Sequence, residues 1–373
     1  EADNVVVNLS ANETFFPEKR LFFQEGNEVF VATPRASDYV WGGRSKVTVL
    51  NTRRIGSRPI LPDTPDGVSF SKRTQKTTKA DLNGAIKSTG QIDKFRYGIL
   101  LASEDDTDLM ADDNKTYNQV GRDFGVFRLL YENTDNGDTR GLGFISTTVA
   151  KPETDSVVNA ADFHYLSESG IWKADGQYIL SKTHEDGSGK GGFFDIVYSP
   201  EKGKRNQLKM SVFDEKMEIN DLGFNQRKNV KDIQYNYTSI NSNSTRFRDT
   251  QVNGYMRYGE NFDGHRISNA IGGSVNLTLN NLNEIQGSFA HWPTRFEDRE
   301  SYGNGTFKLR PRQRLRFEYK TNPSESFSYG GTLTYQAEDM KGRKAEGELE
   351  FTWYPMSNLS LNEELKYVDE SGG

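Results

Sequence analysis

Apolar and polar residues alternate one by one through most of this chain, a period of two that points away from helical folds. The stretch RLRFEYK sets Leu315, Phe317 and Tyr319 against Arg314, Arg316, Glu318 and Lys320. DIQYNYTSI opposes Ile233, Tyr235 and Tyr237 to Asp232, Gln234, Asn236 and Thr238. FSYGGTLTY gathers Phe327, Tyr329, Leu333 and Tyr335 on one side, and GELEFTWYP gathers Leu349, Phe351 and Trp353. Side chains of a strand point to opposite faces in turn, so each stretch reads as a strand between two different media. About eighteen such candidates follow Lys46, spaced as in an all-β chain. DFGVFRLLY, 123–131, is ambiguous: Phe124, Val126 and Leu130 share a face with Arg128, while Phe127, Leu129 and Tyr131 fill the other.

Which two media these are follows from composition and from the connections. Only 34% of the 373 residues are hydrophobic, yet aromatics reach 12%, which a disordered chain would lack. No run approaches the roughly 18–20 apolar residues of a membrane helix, but a membrane-spanning strand needs only about ten residues, every second one apolar. Short turns are read around 90–94, 132–140, 169–171, 200–206 and 280–283. Longer loops are read at 104–122, 150–159, 181–191, 214–230, 259–269 and 292–302, and the alternation weakens after about residue 303. Short turns at one end and long loops at the other are the mark of an outer-membrane barrel. The expected fold class is therefore all-β: an antiparallel transmembrane β-barrel over 46–373, with 1–45 as a lead-in or plug segment. Strands are also read at 5–10 and 45–56. Tyr165, Trp172, Trp292, Tyr319 and Trp353 cap apolar stripes, where membrane-anchor aromatics are expected.

The chemistry the residues offer is sparse. Net charge is −6 with no basic block, so nucleic acid is not an expected partner. There is no Cys, which excludes disulfides and thiolate metal sites. His164, His184, His265 and His291 show no metal-pair spacing. HEDGSGKGG, 184–192, lacks the first Gly of a phosphate-binding loop and reads as a flexible outer loop. SEDDTDLMADDNK, 103–115, concentrates Asp105, Asp106, Asp108, Asp112 and Asp113, hard oxygen ligands that make it a weak candidate for calcium. No other cofactor is expected, and no carboxylate pair is singled out for hydrolysis.

FFPEKRLFFQEGNEVF, 15–30, fits neither a soluble core helix nor a plain loop, with its aromatic pairs around Pro17 and a charged triplet. With NTRRIG at 51–56, GAIKSTGQIDKFRYGILLA at 84–102 and INDLGFNQR at 219–227, it resembles an uncharacterised outer-membrane barrel family, domain of unknown function 5916. Members of that family usually follow a family-9-type carbohydrate-binding module. The resemblance runs from about residue 3 to the end. It implies that Phe15, Phe16, Phe22 and Phe23 anchor the chain at the wall or rim. Glu18, Lys19, Arg20 and Glu25 would then form a lumen charge cluster with Arg53 and Arg54. The module is missing, and YVDESGG lacks the terminal aromatic strand of assembled barrels, so a fragment is expected. The implied role is passage or surface capture of a solute, glycan-related, in the bacterial outer membrane. Implied partners are outer-membrane lipid and lipopolysaccharide, a glycan or small solute, the barrel-assembly machinery, and a protein in the lumen. A barrel-borne hydrolase of glycan or lipid, with His164 or His291 beside a Ser, and an export scaffold are the alternatives.

Overall fold

The computed structural model describes residues 13–36, 46–59, 61–71, 78–150, 155–242, 244–301, 304–337, 342–356 and 358–371. The strand read at 5–10 lies outside the described residues. Among the described residues, sixteen strands stand in one sheet in the order in which they occur in the sequence. The first seven are Leu82–Ile92, Phe95–Glu104, Asp123–Asn133, Thr139–Ala150, Ser156–Leu166, Trp172–Thr183 and Gly187–Tyr198. The other nine are Lys204–Phe213, Val230–Asn241, Phe247–Glu260, Arg266–Leu279, Glu284–Trp292, Arg312–Lys320, Phe327–Ala337, Arg343–Met356 and Leu359–Ser371. The all-β antiparallel transmembrane barrel class read from the alternation is the class observed. The chain divides into two compact units, residues 1–194 with 211–230, and residues 195–210 with 231–373.

In the first unit both faces of the wall are apolar, for different reasons. One face exposes Ile99, Leu101, Phe127, Leu129, Leu142, Phe144, Tyr178 and Leu180. The other buries Leu100, Phe124, Val126, Ile145, Val158 and Ile179. What covers this second, inner face is chain that belongs to no wall strand. Residues 13–36 and 46–59 lie on it with 214–229, and they bring Phe23, Phe30, Val47, Val49, Ile55, Met217, Ile219, Leu222 and Phe224 into a common buried set. Val47–Thr48 pairs with Phe224–Asn225 in a two-stranded ladder, so the strand read at 45–56 is an inner element. The wall itself begins at Leu82.

Two connections read as long loops are mostly strand. The segment read at 181–191 shrinks to 184–186, and that at 259–269 to 261–265. The glycines that suggested a flexible loop at 184–192 are strand residues of Gly187–Tyr198. Their bare faces admit the inner chain: a Cβ on Gly189 would stand 2.3 Å from the Lys216 and Met217 backbone, and one on Gly191 would stand 2.4 Å from Met217 Sδ. The loop read at 150–159 is also shorter, since a strand resumes at Ser156. The long connections that remain are 105–122 and 214–229 in the first unit and 293–311 in the second.

The second unit has one apolar face and one polar face. Ile233, Tyr235, Met256, Tyr258, Phe289, Leu315, Phe317, Leu333, Tyr335, Leu349, Trp353 and Leu365 share the outer face, each more than a third exposed. Their strand-by-strand neighbours Gln234, Asn236, Asn253, Ser274, Gln286, Ser288, Arg316 and Glu318 share the inner one. Large apolar side chains exposed on successive strands far exceed the patches a soluble protein shows. Hydrocarbon is the medium that such a surface fits, and closed strand ladders are one of the two structures that can cross it.

Candidate functional site

The inner face carries the polar chemistry, and in the first unit it is centred on the Arg that looked out of place. Arg128 is 1% exposed. Its Nη1 and Nη2 donate to Asp162 Oδ1 and Oδ2 at 2.5 and 2.9 Å, a bidentate pair, and its Nε donates to the Val29 carbonyl at 3.2 Å. His164 stands beside this pair with Nε2 2.9 Å from Asp162 Oδ2 and Nδ1 2.9 Å from Asp175 Oδ1. Lys173 adds a cation 3.6 Å from Asp175. Gly143 makes the room: a Cβ there would stand 2.3 Å from Asp162 Oδ2 and 2.4 Å from Arg128 Nη1. The cluster thus joins three wall strands and holds residues 29–30 against them. Arg122 and Glu104 form a second buried pair at 2.6 Å, and Glu104 also accepts from the Gly56 N–H at 2.8 Å.

Of the six lead-in charges, Glu18, Arg20 and Arg54 have partners within the inner segment. Glu18 pairs with Arg20 at 2.7 Å, and Arg20 donates onward to the Thr52 and Ile55 carbonyls at 2.7 and 2.8 Å. Arg54 pairs with Glu13 at 2.8 Å and donates to the Gly223 carbonyl. Lys19 and Glu25 are exposed, and Arg53 lies half-buried in the 3-10 turn Thr52–Arg54. Of the four phenylalanines, Phe23 is buried under Arg20, Phe15 packs edge-on against Phe224, and Phe16 and Phe22 are exposed. Phe15, Glu18, Asn27, Phe30, Lys46 and Asn51 line a cavity of about 340 Å³ in this inner segment.

Burial by itself would raise the Glu18 carboxyl, but the bonds from Arg20 and the Thr52 hydroxyl outweigh it and hold the group down at about 2. Its ordinary value is 4.5, so the stabilisation is complete above that pH and is lost as pH falls from 4.5 through 2. Screening by nearby solvent leaves about 2 kcal/mol of it. Glu18→Gln is expected to flatten the decline of stability across that window, measured by urea unfolding at pH 7 and pH 3. An unchanged decline would show that Glu18 contributes nothing to it.

In the second unit the inner face is polar along most of its described strands. Thr238 donates to Asn253 at 3.2 Å and Asn253 to Ser274 at 3.2 Å, a polar row that runs across strands. Arg316 pairs with Glu318 at 2.6 Å, Lys320 with Glu318 at 3.0 Å, and Lys344 with Glu346 at 3.0 Å. Tyr165, Trp172, Tyr319 and Trp353 stand on apolar outer faces. Trp292 does not: it pairs with Arg312 on the face of Gln286 and Ser288, and the Arg312 guanidinium lies 4.5 Å over its ring.

The acidic stretch is a small hairpin, Thr107–Met110 paired with Thr116–Gln119. Its carboxylates are spread along it. Asp112 accepts from the Ser69 N–H and hydroxyl, Asp113 from Tyr117, Asp108 from Asn118, Asp106 from the Gly121 N–H, and Asp105 from the Asp106 N–H. Among the described residues no three acids or histidines gather around a point that could hold a metal ion. Both ring nitrogens of His164 face carboxylates instead of a Ser, and His291 lies on the outer face opposite Gln313.

Compared with protein families, the pattern described as Domain of unknown function (DUF5916) matches residues 1–371. The chain belongs to this family. No curated protein matches it. Similar solved structures include OccK10 (OpdN) of Pseudomonas aeruginosa, at 9% identity and a TM-score of 0.37, covering 81% of this chain and 92% of that one. OccAB4 of Acinetobacter baumannii, at 9% identity and a TM-score of 0.36, covers 78% and 92%. Pseudomonas aeruginosa OpdK with vanillate, at 10% identity and a TM-score of 0.36, covers 78% and 92%.

Proposed function

We propose that this chain is the wall of a barrel in the bacterial outer membrane that passes small polar solutes along its inner face. The observation that supports this is the contrast between the two faces in the second unit. Leu315, Phe317, Leu333 and Leu349 are each at least half exposed on one side, while Asn253, Ser274, Ser288 and Arg316 occupy the other. An apolar outer face suits lipid, and a polar inner face suits water and solute. Outer-membrane lipid and lipopolysaccharide are the surroundings such a surface requires. The finer reading, a glycan-derived solute, draws support from the amide and hydroxyl row of Thr238, Asn253 and Ser274, which offers hydrogen bonds without charge.

The test is direct. The protein reconstituted in a planar bilayer is expected to give stepwise ion conductance, and proteoliposomes are expected to swell in glycerol. Swelling in a neutral disaccharide would support the glycan reading. Membrane-inserted protein without conductance or swelling would refute solute passage.

A further inference from the structure

We propose that the inner face of the second unit carries a binding site for sugar acids, small molecules with one carboxylate and several hydroxyls, centred on Arg314; this rests on the solute-passage reading above. Strand Arg312–Lys320 sets Arg312, Arg314 and Arg316 on one face, with Leu315 and Phe317 on the outer one. Register places Tyr255, Gly272, Ala290, Arg314, Gln336 and Lys344 in a single row across six strands. That row holds two bases and no acid, and Glu370 follows only beyond Lys344. The acids of the neighbouring rows already carry bases: Glu318 bonds Arg316 at 2.6 Å, Glu346 bonds Lys344 at 3.0 Å, and Asp232 bonds Arg257 at 2.9 Å. Arg314 is left over. It is exposed and has no ion pair or hydrogen bond among the described residues.

The space beside Arg314 is open. Its neighbour Ala290 carries only a methyl group, and Gly272 beyond it carries none. Tyr255 lies across that glycine, since a Cβ on Gly272 would stand 2.7 Å from the Tyr255 ring edge and hydroxyl. The phenol hydroxyl therefore stands over the second strand from Arg314, about 10 Å from its backbone. A guanidinium from one side and a phenol from the other face each other over Ala290. Arg312 stands in the next row, its guanidinium 4.5 Å over the Trp292 ring, and adds a second positive charge within about one Debye length. Two residues along in the other direction, about 7 Å away, the row of Ser288, Ser274 and Asn253 offers hydroxyls and an amide. The planar fork of an arginine matches the two oxygens of a carboxylate. With its carboxylate on Arg314 and the Tyr255 hydroxyl, a sugar acid lays its own hydroxyls on the serine and asparagine row. A neutral sugar forgoes the charged bond, and a cationic one is repelled by Arg312 and Arg314.

The experiment uses hexoses of similar size and different charge. Proteoliposomes are assayed for uptake of glucuronate, glucose and glucosamine at mildly acidic pH, where the first is an anion and the last a cation, each relative to glycerol. Glucuronate is expected to enter several-fold faster than glucose, with glucosamine slowest, and its uptake is expected to saturate. Arg314→Gln is expected to bring glucuronate down to the glucose rate, and Arg314→Lys to keep part of the preference. Tyr255→Phe, which removes a hydroxyl and no charge, is expected to raise the half-saturating glucuronate concentration a few-fold. Should Arg314→Gln fail to insert, the saturation of the unaltered protein and its shift in Tyr255→Phe decide. Glucuronate entering no faster than glucose, or without saturation, while glycerol passes, overturns this proposal and leaves solute passage standing. An Arg314→Gln protein that keeps the full preference overturns it too. No glycerol uptake overturns solute passage itself.

Discussion

Replacing Arg128 by Ala is expected to cost about 3–5 kcal/mol of stability, as for other buried pairs that lose one partner. Asp162 is 0% exposed at its side chain and would be left with His164 alone beside it. The lost Nε bond would also free the Val29 carbonyl, so residues 29–30 should loosen from the wall. The measurement is urea unfolding in lipid vesicles, with proteolysis of the inner segment as a second readout. The double variant Arg128→Met, Asp162→Leu removes both charges and is expected to recover most of the loss. If the single variant costs less than about 1 kcal/mol, the cluster does not hold the inner segment in place.

Leu333→Arg is expected to cost about 2–4 kcal/mol, the penalty for a cation near the middle of the lipid-facing side of a barrel. Leu333 is 65% exposed in the centre of Phe327–Ala337. Its neighbour Thr334 faces the other way, so Thr334→Arg should fold with little loss. The same unfolding assay compares the two. Equal costs would mean that the two faces of this strand see the same medium, and the membrane assignment would fail.

The wall was legible in the sequence wherever its two faces meet different media. Leu315, Phe317 and Tyr319 against Arg314, Arg316 and Glu318 could be sorted by parity alone. The strand Asp123–Asn133 could not, because Phe124 and Val126 are covered by inner chain while Phe127 and Leu129 face outward, so both faces are apolar. Arg128 was visible there as an oddity, but its partners Asp162 and Val29 come from elsewhere in the chain. The strand read at 45–56 fell within the barrel expected over 46–373, but Val47–Thr48 pairs with Phe224–Asn225 and with no wall strand. Trp292 was placed with the outer aromatics by its position at a strand end, but register with Arg312 turns it inward. The glycines of 187–192 read as a loop because sequence shows missing side chains and cannot show that Met217 fills the space.

The inner segment also bears on the order in which the molecule is assembled. Arg35 donates to Ser211, 176 residues later, Arg54 to Gly223, 169 residues later, and Thr48 pairs with Phe224. Contacts of such sequence separation form slowly, because a long loop must close before they can hold. The segment is translated before the strands it rests on, yet its seat is incomplete until residue 224 has emerged. During synthesis and export Phe15, Phe23 and Phe30 therefore travel uncovered, which makes this stretch, made well before the strands it rests on, a part of the chain in need of a chaperone.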